Sequence, residues 1–174
     1  MIYIPSPIIN LTKIIQGIGQ ARHFPTDSNK WNEVLDIDAA DAPGLYIFSL
    51  KAGRGITPWY VGKASKQSLK KEIITSDKIL KFNSVVREKS GTPMLTLLPR
   101  HTKIKLSLSK IGSHKEIDII ETMLIARCLE KNPNLINIQK TTIYKTLSIY
   151  GMLNSPRGAP RQDVKDFRDV IGGY

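Results

Sequence analysis

The stretch from Ala42 to Lys71 constrains this 174-residue chain more than any other, because two short apolar runs in it each set a tyrosine beside a glycine. The run PGLYIFSL, Pro43 to Leu50, is β-branched and aromatic behind an opening Pro and Gly, and it predicts a buried strand. WYVGK, Trp59 to Lys63, predicts a shorter strand ending at a glycine. Lys51 to Pro58 lies between them with Gly53, Gly55 and Pro58, and reads as an eight-residue loop. An antiparallel hairpin that brings Tyr46 and Tyr60 onto adjacent strands is the simplest outcome.

Gly44-Leu45-Tyr46 and Tyr60-Val61-Gly62 resemble the paired signatures of the GIY-YIG nucleases, each with one aliphatic exchange. Glu121, on a later helix, and the following Asn132-Pro133-Asn134-Leu135-Ile136-Asn137 resemble that family's metal-binding glutamate and downstream asparagine. The resemblance covers residues 42–138. It implies an α/β (α+β) domain with a central three-stranded, mainly antiparallel sheet flanked by helices. Residues 1–41 are then an N-terminal extension packing on the core, and 139–174 a C-terminal extension.

The activity implied by the resemblance is a metal-dependent endonuclease acting on phosphodiester bonds in double-stranded DNA, with Mg²⁺ or Mn²⁺ as cofactor. In that scheme Tyr46 assists deprotonation of the attacking water, its phenol acidified by Lys63, and Tyr60 orients the water or the scissile phosphate. Glu121 holds the cation among waters and phosphate oxygens. Asn137 is a positioning residue in the same cleft. One departure stands out: where the family carries an arginine, this chain has Lys70, ten residues after Tyr60, with Lys71 beside it and the nearest arginine at Arg87. Lysine does not reproduce a bidentate guanidinium. Either Lys70 substitutes, or Arg87 reaches back, or the fold persists without catalysis as a nucleic-acid-binding module. Lys70 is expected to point toward a cleft formed by Tyr60 and Glu121, and Arg87 to lie on an outer basic face.

Charge supports a polyanionic partner. Residues 60–110 hold twelve Lys or Arg against three acids, so this segment supplies +9 of the chain's net +11. Lys66, Lys71, Lys78, Lys81 and Arg87 are the candidate phosphate contacts, since each neutralised phosphate releases counterions. A solvated basic surface, on an interaction protein that meets no nucleic acid, is the bland alternative.

The rest of the chain reads as follows. Residues 10–22 predict a short amphipathic helix, and 23–41 an irregular lead-in whose Trp31 and Val34-Leu35 pack under the first strand. The scattered acids Glu33, Asp36, Asp38 and Asp41 read as surface residues. Asp77 is expected to cap a helix that ends at Ser90-Gly91. Met94–Leu98 predicts a third strand, His101–Ser109 a half-buried edge, and Lys115–Lys131 a helix with Glu121 in the middle of an Ile117, Leu124, Cys128 stripe. Residues 146–150 predict a last strand or short helix, and 162–171 a closing helix. Cys128 reads as a buried inert thiol. No apolar run is long enough to span a membrane and no basic region precedes a cleavage site, which makes a cytoplasmic protein the expectation.

Overall fold

The structure is a computed structural model that describes residues 1–103, 106–137, 141 and 160–170. The chain forms two units, Met1–Asn137 and Ile138–Tyr174. In the second unit, Gln162–Val170 is a helix, with Gln162 Nε2 donating to Asp166 Oδ1 at 2.6 Å. The element expected over 146–150 lies outside the described residues.

The first unit is α+β and is built on an antiparallel sheet. Its centre is β3 (Gly44–Ala52), flanked by β4 (Gly55–Ala64) and β5 (Thr92–His101). Two two-residue strands, β1 (Ile2–Tyr3) and β2 (Ile9–Asn10), pair with the far edge of β5. The sheet therefore has five strands rather than the expected three. The difference arises because the chain's first ten residues satisfy the outer backbone groups of β5, which would otherwise be an open edge.

The hairpin is tighter than the eight-residue loop expected. β3 and β4 remain paired to Ala52 and Gly55, leaving Gly53-Arg54 as a two-residue turn with Gly53 at φ +55°, the conformation such a turn demands of its first residue. The longer ladder is accommodated by a bulge: Phe48 faces Tyr60 and Ser49 faces Pro58, so Trp59 is the extra residue.

Residues 10–22 do not form the expected helix. They make 3₁₀ turns at Leu11–Ile14 and Gly19–Ala21, with Gly17 and Gly19 at φ +78° and +57° breaking any longer helical run. The lead-in is more regular than expected, with α1 (Ser28–Val34) and α2 (Asp38–Asp41), and Trp31 and Leu35 are buried as foreseen. α3 (Leu69–Ile73) and α4 (Ser76–Glu88) follow the hairpin; Thr75 rather than Asp77 is the N-cap of α4. Past β5, Leu108 bridges back to His101, but the extended edge expected over 101–109 is not a named strand among the described residues. α5 (Glu116–Lys131) matches the helix expected there.

Strand periodicity sorts these elements into layers. Tyr46, Phe48 and their partners Gly62 and Tyr60 share one face, and Phe82 of α4 packs on it, its ring 4.4 Å from that of Phe48 and 6.5 and 6.2 Å from those of Tyr46 and Tyr60. Phe24 and Trp31 close the same core, and the Asn83 carboxamide answers the backbone of Phe24 in both directions. On the opposite face, α5 lies against β4, and Ile117 and Ile125 of the helix and Leu45 and Val61 of the strands are buried. No helix among the described residues is long and apolar enough to cross a membrane.

Candidate nucleic-acid interface

Tyr46 and Tyr60 meet as the hairpin predicts, with ring centroids 6.1 Å apart. The glycine of the second signature has a steric reason: a Cβ on Gly62 would come within 2.6 Å of Tyr46 Cε1 and closer still to the phenol's hydroxyl end. Tyr46 is fully buried, and among the described residues its hydroxyl meets no partner in full hydrogen-bond geometry. Burial above all pushes its pKa well above the ordinary phenol value, and the neighbouring Tyr60 phenol and the Glu72 and Asp77 carboxylates act in the same direction. The Tyr60 side chain raises it both through its charge and as a hydrogen-bonding neighbour of the Tyr46 phenol, although the two hydroxyls fall short of full hydrogen-bond geometry. The acidified Tyr46 expected from Lys63 is thus corrected.

Lys63 belongs to another cluster. Being next to Gly62 in the strand, it projects from the opposite face, where its ammonium bonds Asp118 Oδ1 and lies 3.2 Å from Glu121 Oε2. Burial pulls the Lys63 pKa down, but the bonds and charges of Asp118 and Glu121 together outweigh it and raise the pKa. Asp118 and Glu121 are one turn apart on α5, so one ammonium serves both. Glu121 is the half-sunk carboxylate expected on the inner stripe, with 12% of its side chain exposed.

Asn137 lies beside β4. Val61 N donates to its Oδ1 at 2.9 Å and its Nδ2 donates to Val61 O at 2.7 Å, so one carboxamide completes the pairing of one strand peptide. Asn132 Nδ2 donates to Pro58 O at 2.7 Å and Ile136 N to Trp59 O at 2.9 Å. The segment Asn132–Asn137 therefore covers the outer edge of β4, an answer to exposed strand groups that local sequence does not reveal.

The cations at Tyr60 are Lys78 and Lys81 of α4, not Lys70. Lys81 Nζ stands 5.5 Å from the Tyr60 ring centroid. Both ammoniums bond Asp77 Oδ2 at 2.8 Å, and Lys78 also lies 3.4 Å from Glu72 Oε1. These bonds, to Lys78 first and Lys81 second, hold Asp77 down at about 2. Burial lowers Lys78, but the Asp77 bond with the Tyr60, Glu72 and Asp77 charges raises it overall. Lys70 is half-exposed on α3, and its side chain makes no hydrogen bond or ion pair among the described residues. Lys66, Lys71, Arg87 and Lys89 are exposed and likewise unpaired by carboxylates among the described residues.

Asp118, Glu72 and Asp77 escaped the sequence reading as counter-charges, although the spacings Asp118/Glu121 and Asp77/Lys81 mark them as helix-face neighbours. Arg100, one of the twelve cations of residues 60–110, is buried, with Nε donating to Glu116 Oε1 at 2.7 Å and Nη1 to Ser109 Oγ at 2.8 Å. Burial pushes the Cys128 thiol up to about 11, which keeps it protonated, as an inert core cysteine should be.

A divalent cation at Glu121 would need that carboxylate as its anchor. The Lys63 ammonium lies against both it and its neighbour Asp118, and among the described residues no three His, Cys, Asp or Glu side chains gather as a ligand set. A Mg²⁺ or Mn²⁺ held largely by waters and phosphate oxygens would have to compete with Lys63 for the Glu121 carboxylate. Comparison of the chain with family models, with curated proteins and with solved structures gives no match.

Proposed function

We propose that this protein is a double-stranded-DNA-binding module with GIY-YIG-like strand and helix order, which holds the phosphate backbone on its α3–α4 layer and does not hydrolyse it. The observation that carries this reading is the sorting of charge. Lys63, Lys78 and Lys81, the cations at Glu121 and Tyr60, are tied to carboxylates. Lys66, Lys70, Lys71, Arg87 and Lys89, by contrast, keep their charge for a partner outside the described residues. Five cations without a carboxylate partner among the described residues, on two adjoining helices and their flanks, are suited to backbone contacts, which bind without reading sequence.

The endonuclease implied by the family resemblance is the second reading, favoured by the contact between the Tyr46 and Tyr60 rings. It requires Tyr46 to act as a base from a buried position that raises its pKa, and Lys63 to surrender Glu121 to Mg²⁺ or Mn²⁺. A labelled DNA duplex for binding and a supercoiled plasmid with either metal for cleavage separate the two. Binding without nicking supports the module; nicking that Glu121→Ala abolishes establishes the nuclease instead.

A further inference from the structure

At the C-terminal end of α4 a concave pocket of about 190 Å³ is bounded by Gln20, Arg22, Arg87, Glu88, Lys89 and Ser90. Three of these are cations brought from two separate parts of the chain. Arg22 is anchored by one bond, Nη2 donating to Gly91 O at 3.0 Å, and its Nε is buried with no partner. Lys89 borders the pocket while its Nζ stands over the Trp59 ring, 5.7 Å from the centroid, a cation–π contact that an anion in the pocket would have to draw it from. None of Arg22, Arg87 and Lys89 forms an ion pair among the described residues, and Glu88 is the one acid at the rim.

A half-buried guanidinium without a counter-charge is unfavourable, and the Arg87 charge at the same rim adds repulsion. A helix C-terminus favours nearby cations, which accounts for Arg87 and Lys89 but not for Arg22, which arrives from the 3₁₀ turn at Gly19–Ala21. An anion relieves both costs. A guanidinium fork, an ammonium, a serine hydroxyl and a carboxamide are the donors that tetrahedral oxyanions take. The volume lies below the few hundred Å³ of a typical small-molecule site, so it suits a phosphate group rather than a whole nucleotide.

We propose that this pocket is a phosphate-binding site, taking a backbone phosphodiester or a terminal phosphate monoester. Its occupation by DNA rests on the reading above; its affinity for a phosphate group does not. Inorganic phosphate, titrated into the full chain and followed by ³¹P line broadening, should bind. Binding should be lost in Arg22→Gln and in the surface double variant Arg87→Gln/Lys89→Gln, and kept in Lys103→Gln/Lys110→Gln, which removes the same charge elsewhere. A 5′-phosphorylated duplex binding about 10-fold tighter than its 5′-hydroxyl counterpart identifies the monoester as ligand; equal affinity, with both weakened about 10-fold by Arg87→Gln/Lys89→Gln, identifies the backbone. Phosphate binding without any duplex binding leaves the site standing and overturns the DNA reading. Phosphate that does not bind, or that binds equally to both double variants, overturns the site whatever the DNA result.

Discussion

Tyr46 and Lys63 project from opposite faces of the sheet, although Lys63 is only one residue beyond Gly62, the strand partner of Tyr46. This relationship separates the constellation that the sequence suggests into two halves. The tyrosines belong to the α4 side and Glu121 to the α5 side, each with its own charge balance.

Tyr46→Phe follows directly. The hydroxyl is buried and unbonded, so removing it costs no hydrogen bond and relieves a desolvated polar group. Urea denaturation should show stability unchanged or raised by about 1 kcal/mol, with duplex affinity intact. A loss of about 3 kcal/mol or more would mean that the hydroxyl has a partner that matters.

Alkaline titration tests the same group another way. A folded-state pKa raised above the unfolded value of about 10 contributes stability that is whole below that pH and lost as pH rises through the folded value. Part of the tyrosinate absorbance should therefore lag and appear together with unfolding, and Tyr46→Phe should reduce that lagging amplitude. Ionisation of all six tyrosines below the unfolding transition would contradict the burial.

Asn137→Ala should destabilise the fold by about 2–4 kcal/mol, because it leaves the Val61 N–H and C=O at a covered edge without their partners. Chemical denaturation measures this. Asn137→Asp keeps the shape but sets a carboxylate oxygen against Val61 O, and should destabilise at least as much as Asn137→Ala.

Asp77→Asn frees Lys78 and Lys81 from their shared counter-ion. On the proposed interface this should raise duplex affinity about 3- to 10-fold at low salt and steepen the salt dependence by up to two phosphate equivalents. Fluorescence anisotropy reads both. An unchanged affinity would place the backbone away from the first turn of α4.

Much of this architecture was legible because the signals are local. The paired apolar runs with glycine at their ends dictate β3 and β4, and the Ile117, Glu121, Cys128 spacing dictates the inner stripe of α5. The strand period held one more message: Tyr60 and Lys63 are an odd number of residues apart, so a regular strand sends them to opposite faces. What the sequence hides is long-range. The clasp of Asn137 on Val61, the edge pairing of β1 and β2 with β5, and the burial of the Tyr46 hydroxyl each depend on a partner at least 35 residues away or on the packing of the whole core. The turn at Gly53-Arg54 was missed because Pro58 reads as a loop residue, whereas on an edge strand beside a bulge a missing N–H is tolerated.

The most direct test of the DNA-binding reading is the slope of log K against log salt for a labelled duplex between about 50 and 200 mM salt, for the native chain and for the fourfold variant Lys70→Gln/Lys71→Gln/Arg87→Gln/Lys89→Gln. The expected result is a steep negative slope for the native chain, shallower by about three to four in the variant, with the fold retained. No binding at the lowest salt, or a slope that the four substitutions leave unchanged, would contradict it.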